Sequence, residues 1–326
     1  MNTTPCNNPP FIKYIFGFHM PLFFILSGYL YKDSQTDESP LKILCKISKR
    51  FLLPYLLLSV INLILHTFHI FVVTFPEYIL PTWEDIIKYL KGIFLVQTGN
   101  MPDCGPMWFL PVTALALFIF YLIRKLPNIY LRAFILLVFA ALSQYFDFMK
   151  DTLPQHCLFC VFLAVLFYEV GYLIKKYNIL EHSFKPAGSA LIIIGLFVLG
   201  LFVIKFNPAD PWIDLNSGRF GIIPLTLVGA TSVTIGIMYF SRIIETFIPL
   251  LSKALAFIGI HSILLLAFDS ASNSWGGTLF SILGIGSFTW YQAFALRSGI
   301  LIIIFIIWQG LMHIIPDGKI RQFLNF

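Results

Sequence analysis

Residues Phe18 to Lys32 read FHMPLFFILSGYLYK, and this apolar stretch decides the fold class. It carries His19 and Pro21 at one end and Ser27 with Gly28 in its second half. Hydrocarbon offers no hydrogen-bond partner to an imidazole or to the carbonyl group that a proline leaves open. The stretch therefore predicts a membrane helix whose polar end faces a buried site.

The composition of the whole chain is typical of a polytopic membrane protein. Hydrophobic residues make up 58% and charged residues 12% of the 326 residues, and the mean hydropathy is +0.83. Soluble domains average roughly 45–50% apolar and about 25% charged residues. The net charge of +6 could indicate a nucleic-acid partner, but the basic residues stand in short loops between apolar segments. We interpret them as topology signals and expect no nucleic-acid partner.

Nine apolar segments reach the length that a bilayer needs, roughly 17–25 residues. They are Phe11–Tyr31, Phe51–Phe75, Met107–Ile123, Leu131–Phe148, Cys157–Ile174, Ala187–Lys205, Phe220–Phe240, Leu255–Ser270 and Ala293–Ile314. The chain shows no internal repeat and no soluble segment of domain size. We predict an all-α, polytopic transmembrane helical bundle in a single domain, residues 1–326.

The loop charges predict the orientation of this bundle. Every second loop is basic, beginning with the segment from Lys32 to Arg50, as the positive-inside rule demands of cytoplasmic loops. Residues 1–14 are then outside and the C-terminus is cytoplasmic, in a multi-pass protein of the plasma or inner membrane. The first segment, MNTTPCNNPPFIKY, has the composition of a loop between two helices. A further helix before Met1 is therefore expected.

Several motifs follow one another in the order found in a known family. After the opening stretch come KISKRFLLPY at Lys46–Tyr55 and GPMWFLP at Gly105–Pro111. DLNSGRFG at Asp214–Gly221 and LAFIGIHSILLLAFD at Leu255–Asp269 come later in the chain. This order resembles the integral-membrane acyltransferase family called acyltransferase 3, whose members include sugar and polysaccharide O-acetyltransferases. The resemblance implies ten helices with both termini cytoplasmic, of which this chain supplies nine.

The resemblance also implies an activity. It is the transfer of an acetyl or similar acyl group from acyl-CoA to a hydroxyl of a cell-surface carbohydrate. The expected partners are the lipid bilayer, acyl-CoA as the donor substrate and a carbohydrate acceptor, with no bound cofactor and no metal. Two alternatives remain open: a glycan or lipid transporter or flippase, and a truncated, non-catalytic family member. The family carries a catalytic histidine on the helix expected before Met1, and a histidine is common where this chain has Asp269.

Acyl transfer from a thioester needs a base for the hydroxyl proton and donors for the tetrahedral oxyanion. His19 and Asp269 are the predicted catalytic residues, because ionisable side chains inside apolar spans indicate functional sites. For His19 the alternative is a histidine bound to backbone that Pro21 leaves open. For Asp269 the alternative is a hydrogen-bonded structural carboxyl.

Lys49 and Arg50 are the predicted contacts of the donor's phosphates. With Lys42 and Lys46 they have the spacing of residues that share one face of a helix. The alternative is a topology signal or a contact with lipid headgroups.

Trp108 and Arg219 are the predicted contacts of the acceptor. An indole face stacks on a sugar ring, although interface anchoring is the alternative for Trp108. Arg219 matches a family position, and it closes a turn-rich loop with Trp212 and Asp214.

One further helix is predicted at Thr82–Val96, TWEDIIKYLKGIFLV. Thr82 is a helix cap, and the apolar residues lie on a different face from Lys88 and Lys91. We expect this amphipathic helix to lie flat on the outer membrane surface.

Overall fold

A computed structural model describes residues 11–74, 80–97, 100–101, 105–150, 157–181, 186–282 and 289–314. These residues form twelve α-helices: α1 (Ile12–Tyr29), α2 (Pro40–Ile47), α3 (Leu53–Val73), α4 (Trp83–Leu95), α5 (Phe109–Lys125), α6 (Ile129–Phe148), α7 (Val161–Lys176), α8 (Pro186–Phe206), α9 (Ile223–Phe247), α10 (Pro249–Ile260), α11 (Ser262–Ile282) and α12 (Trp290–Ile314). Short 3₁₀ segments cover Asp33–Asp37, Gly105–Trp108, Cys157–Cys160 and Ile179–Glu181, and a π-helical turn covers Ser48–Leu52. The predicted all-α fold is confirmed.

Six helical segments in the described ranges are long and apolar enough to cross a membrane: Pro40–Val73, Gly105–Lys125, Ile129–Phe148, Cys157–Lys176, Ile223–Phe247 and Trp290–Gly310. A seventh is a bent pair, Pro249–Ile260 with Ser262–Asp269, whose parts meet at 59°. All nine predicted segments coincide with helices, but α1 falls short of this criterion and α8 counts only as a shorter apolar helix. Lys13 and His19 lower the hydropathy of α1. The helical bundle is confirmed with six or seven spans of this kind.

The chain divides into two compact units. The α1 unit contains Pro10–Phe51 and Leu110–Ala254, and the α3 unit contains Leu52–Phe109 and Leu255–Phe326. That the two units form one domain, as the sequence predicts, stays a prediction.

In the α1 unit, α1 and α7 cross with their backbones in contact. A Cβ atom built on Gly28 of α1 would overlap the carbonyl oxygen of Tyr168, and one built on Gly171 of α7 would overlap that of Ile25. Small residues allow such close approach in membrane helices, where van der Waals packing holds helices together. The two glycines therefore fix where the helices cross.

Aromatic rings extend this contact to α5. The ring of Phe120 lies 5.1 Å from that of Tyr31, which follows α1, and 5.6 Å from that of Tyr168 on α7, measured between centroids. All three side chains are buried. Helices α1, α5 and α7 thus share one aromatic core.

In the α3 unit, polar side chains join α3 to α11. The amide nitrogen of Asn62 donates to the carbonyl oxygen of Ala267 at 2.6 Å, and Nε2 of His69 lies 2.7 Å from Oγ1 of Thr278. Buried polar groups need such partners because unpaired ones are costly in an apolar surrounding. These bonds fix α11 against α3.

Helix α4 packs against α3, and its expected position flat on the outer membrane surface stays a prediction. The ring of Tyr89 lies 5.7 Å from that of His66. The hydroxyl of Tyr55 donates to the carbonyl oxygen of Ile93 at 2.5 Å. Tyr55 precedes Val73, the last residue of α3, by about 27 Å of helix, so α4 contacts α3 far from the end that precedes it in the chain. The capping box of Thr82 and Asp85 forms as the sequence predicts, but buried contacts decide where the helix lies.

We predict that Gly28→Ala and Gly171→Ala each lower the thermal unfolding midpoint of the purified protein. Overpacking costs about 1–3 kcal/mol, and here the added methyl group meets backbone, which has little room to move. Gly195→Ala on α8 is the matched control, since a Cβ there meets nothing within 4 Å. An unchanged midpoint for Gly171→Ala would show that α1 and α7 do not cross at these glycines.

Candidate functional site

Glu38 organises one end of the α1 unit. Its carboxylate accepts hydrogen bonds from Nζ of Lys46 at 2.6 and 2.7 Å and lies 3.3 Å from Nζ of Lys42. Its carbonyl oxygen accepts from the hydroxyl of Tyr121 at 2.7 Å and from Nζ of Lys125 at 3.2 Å. The Lys46 ammonium, followed by that of Lys42, lowers the pKa of the Glu38 carboxyl. Glu38 therefore ties the start of α2 to the end of α5.

A small cavity of about 60 Å³ opens beside this cluster, and we call it the basic-end cavity. It is lined by Tyr31, Gln35, Ile43, Lys46, Ile47, Arg50, Phe51, Leu117 and Tyr121. Its lining combines two cationic side chains with hydroxyl, amide and apolar groups. An anionic ligand that also carries an apolar or hydrogen-bonding part suits such a lining.

Of the two predicted phosphate contacts, Arg50 lines the basic-end cavity and Lys49 does not. Both belong to the π-helical turn Ser48–Leu52. A π turn has a wider hydrogen-bonded ring than an α turn, and it rotates the following residues about the helix axis. The four basic residues therefore do not share the one face that the sequence predicts. Lys42 and Lys46 bind Glu38, whereas the Arg50 guanidinium lies 5.2 Å from the centre of the Phe51 ring. In the described part of the chain no carboxylate lies within 4.0 Å of Arg50.

More basic side chains lie at this end of the unit. Nζ of Lys175 donates to the carbonyl oxygen of Tyr31 at 2.7 Å. Arg124 lies 3.6 Å from the carboxylate of Glu169 and 3.8 Å from the centre of the Tyr172 ring. The loops that the sequence marks as basic thus meet at one end of the α1 unit.

Tyr168 lies between this end and the middle of α1. Its side chain is fully buried, and its hydroxyl has no hydrogen-bond partner among the described residues. The Ser27 hydroxyl lies nearby and donates to the carbonyl oxygen of Phe23 at 2.8 Å. The charge of Arg50 also acts on the Tyr168 hydroxyl. Tyr168 thus places a buried hydroxyl beside Ser27.

His19 lies near the other end of α1. Its Nδ1 is 2.9 Å from the carbonyl oxygen of Ile15, and because a carbonyl only accepts, Nδ1 carries the hydrogen. In the neutral ring, Nε2 is then the nitrogen with a lone pair. The Asp214 carboxylate is close enough to attract the protonated imidazole. Phe16, one turn earlier, contacts the ring of His19 at 4.9 Å and that of Trp212 at 5.5 Å.

The loop from 207 to 222, which we call the outer loop, is held by a buried carboxylate. Oδ1 of Asp147, at the end of α6, accepts the backbone N–H groups of Phe220 at 2.6 Å and Gly221 at 2.9 Å. Gly221 has a φ of 69°, and a Cβ there would overlap the Asn207 amide. Only glycine adopts this positive φ without strain and leaves room for the Asn207 amide. The outer loop is therefore fixed to α6.

Further bonds shape the tip of the outer loop. Asp214 and Arg219 exchange both backbone hydrogen bonds, at 2.8 and 2.9 Å. The Asp214 carboxylate also accepts from the Ser217 hydroxyl at 2.6 Å. The predicted acceptor contact Arg219 thus lies half-buried at the base of a closed turn, and Trp212 on the same loop reaches α1.

The other predicted site residues lie in the α3 unit. Asp269 forms an ion pair of 3.0 Å with Arg297 of α12. Trp108 is only 4% exposed, on the 3₁₀ segment before α5. The catalytic role of Asp269 and the acceptor role of Trp108 stay predictions.

The structure separates the predicted residues of the α1 unit into two groups. His19 and Arg219 are close to the outer loop, and Arg50 is at the basic-end cavity with Tyr31. Twelve residues of chain separate His19 from Tyr31, which corresponds to about 18 Å of helix. A reaction that uses both groups therefore needs a donor substrate long enough to connect them.

Comparison with known proteins identifies the family. A family model described as an acyltransferase domain, acyltransferase 3, matches residues 3–315. This chain belongs to the acyltransferase 3 family. No curated protein and no solved structure gives a significant match. The resemblance found in the sequence motifs is thereby confirmed, and the membrane helices fit a membrane acyltransferase.

Sequence reasoning missed several residues that the structure places beside the predicted site residues of each unit. Asp147 is an ionisable residue inside a predicted span, so the rule that selected Asp269 also selects it. Arg297 is also an ionisable residue inside a predicted span, Ala293–Ile314, so the same rule selects it. The hydroxyls of Tyr121 and Tyr168 had no sequence signal, because buried tyrosines are common in helical cores.

We predict that Asp147→Ala loosens the outer loop of the acyltransferase. Two buried backbone N–H groups lose their acceptor, at about 1–3 kcal/mol each. Hydrogen exchange of residues 207–222, followed by mass spectrometry, should accelerate at least tenfold. Asp210→Ala in the same loop is the control, since Asp210 is exposed. Equal exchange in the two variants would mean that Asp147 does not hold the loop.

Proposed function

We propose that this acyltransferase moves an acetyl or similar acyl group from acyl-CoA to a hydroxyl of a cell-envelope carbohydrate. The observation that carries this proposal is the placement of two chemically different sites on one helix. The basic-end cavity is beside the last turn of α1, and His19 with the Trp212 ring is near its start. A cationic site suits a phosphorylated donor, and a base beside an indole suits a sugar hydroxyl.

The basic-end cavity supports the choice of donor. Arg50 has five N–H donors in a planar fork that matches phosphate geometry, and Lys46 adds a second charge. The pantetheine arm of acyl-CoA separates its thioester from its phosphates, as the separation of the two sites along α1 requires. Acyl-CoA is cytoplasmic, so this end faces the cytoplasm in our proposal, as the positive-inside rule also demands. Residues 1–14 are then outside, in the plasma or inner membrane.

His19 supports the choice of reaction. Nε2 takes the proton of the acceptor hydroxyl while the hydroxyl oxygen attacks the thioester carbonyl carbon. The tetrahedral oxyanion then collapses, the carbon–sulfur bond breaks, and the thiol of coenzyme A leaves with a proton. Asp214 attracts the imidazolium that forms. The hydrogen bond from Nδ1 to Ile15 keeps the ring in the required orientation.

The outer loop supports the choice of acceptor. Trp212 supplies an aromatic face, on which a sugar ring can stack, and Arg219 supplies donors for hydroxyl groups. Asp147 holds the loop beside His19 through backbone bonds. In the α1 unit, acceptor contacts thus depend on Trp212 and Arg219 in this proposal.

We predict that Arg50→Gln raises the KM for acetyl-CoA about 10- to 100-fold with little change in kcat. A hydrogen bond to a charged group is worth about 1.5–3 kcal/mol, and the phosphates do not react. Lys49→Gln removes the same charge from an adjacent exposed position and should change the KM less than twofold. Steady-state kinetics in nanodiscs measure both. Equal effects of the two variants would exclude a specific phosphate contact at Arg50.

We predict that His19→Gln lowers kcat about 10²- to 10⁴-fold, the usual contribution of a general base. The glutamine amide retains a donor of similar reach, so the KM for acetyl-CoA should stay within threefold. Release of coenzyme A in the presence of acceptor oligosaccharide measures the rate. Retention of more than half of the wild-type kcat would remove His19 from the reaction.

A further inference from the structure

Helix α4 shows three different faces. Tyr89 and Ile93 face α3, as their contacts with His66 and Tyr55 show. A second face exposes large apolar side chains, with Trp83 79% and Phe94 71% exposed. The third face carries exposed lysines. One face is therefore packed, one suits lipid and one is cationic.

The cationic face borders an open groove of about 380 Å³, which we call the α4 groove. It is lined by Glu84, Ile87, Lys88, Lys91, Leu95, Gln97 and Asn100. Its volume is within the range of small-molecule pockets, about 300–1,000 Å³. The proposed acyl transfer does not use this groove.

The backbone after α4 shapes one wall of the groove. Val96 ends the helix in the left-handed region, with a φ of 54°. The N–H of Gln97 then donates to the carbonyl oxygen of Gly92 at 2.8 Å, and the Asn100 amide donates to the Gln97 side chain at 3.1 Å. A Cβ on Gly92 would be 2.6 Å from the carbonyl oxygen of Asn100. The returning chain thus places both amides beside the lysines.

The lysines of the groove lie beside α3, which belongs to a segment apolar enough to span a bilayer. Tyr89 lies at the level of His66, about 10 Å of helix from the end of α3. Ile93 lies at the level of the Tyr55 side chain, about 27 Å of helix from that end. Lys91 lies between Tyr89 and Ile93 in sequence, so its backbone is at an intermediate level beside a helix that is apolar enough to span the bilayer. A charge beside such a helix is costly unless it meets an opposite charge, water or the membrane surface.

Neither lysine has an acidic partner in the ranges that the structure describes. No carboxylate lies within 4.0 Å of Lys88 or Lys91 there. The Asp85 carboxylate, one turn before Lys88, accepts both the backbone N–H and the hydroxyl of Thr82. Glu84 is the acidic side chain of the groove lining, so the lining carries two lysines against one carboxylate and favours an anionic ligand.

We propose that the α4 groove binds the headgroup phosphate of an anionic phospholipid drawn from the surrounding bilayer. Lys88 and Lys91 contact the phosphate, Gln97 and Asn100 bind the polar headgroup, and the acyl chains lie on Ile87 and the exposed apolar face. A lipid suits this groove because its cationic lining adjoins lipid-facing side chains. The site is separate from the donor and acceptor sites and does not depend on the proposed reaction.

Native mass spectrometry of the purified full-length protein, titrated with phosphatidylglycerol or phosphatidylcholine, tests this proposal. The wild-type protein should retain one phosphatidylglycerol preferentially. Lys88→Gln with Lys91→Gln should weaken that binding about 30-fold, since each lysine near a membrane surface contributes about 1 kcal/mol. Lys205→Gln with Lys253→Gln removes the same charge from exposed positions elsewhere and should change the affinity less than twofold.

A third variant excludes misfolding as the explanation. Glu84→Gln removes the groove's own negative charge and should tighten phosphatidylglycerol binding about fivefold, a gain that an unfolded variant cannot show. Millimolar inorganic phosphate should not displace the lipid. Equal retention of the two lipids, equal effects of the two lysine pairs, or displacement by inorganic phosphate would overturn the proposal.

Discussion

The crossing of α1 and α7 is the contact on which the α1 unit depends. No side chain separates the two backbones at Gly28 and Gly171, so neither helix can shift along the other without a clash. Helix α1 is therefore a fixed support for the groups near its two ends. His19 is about two turns of helix away from Phe11 and about 18 Å of helix away from Tyr31, and the crossing decides which side chains surround each of these positions.

Several polar side chains in the bundle form hydrogen bonds that involve backbone N–H or C=O groups. Asp147 accepts the N–H groups of a turn, Asn62 donates to a carbonyl of α11, and Glu38 binds both lysines and, through its carbonyl, α5. Each bond satisfies groups that hydrocarbon would leave unpaired. The same bonds decide which loops are rigid.

Apolar segment lengths and loop charges were sufficient to predict the helices and the basic end of the α1 unit. They also selected Arg50, which lines the basic-end cavity, whereas its contact with a donor phosphate stays a prediction. The position of α4 was not predictable, since hydrophobic periodicity gives the faces of a helix but not the neighbour that each face meets. The division between Lys49 and Arg50 was equally hidden, because a π turn has no reliable sequence signature.

The cationic side chains discussed above fall into two groups: those paired with a carboxylate, and those with no carboxylate at ion-pairing distance among the described residues. Lys42 and Lys46 are neutralised by Glu38, and Arg297 by Asp269, so these cations stabilise the fold. Arg50, Lys88 and Lys91 border cavities with no carboxylate at ion-pairing distance among the described residues. A cation that the fold leaves unneutralised next to a cavity favours an anionic ligand. Such cations are therefore better guides to ligand sites than net charge, which counts the paired and the unpaired residues alike.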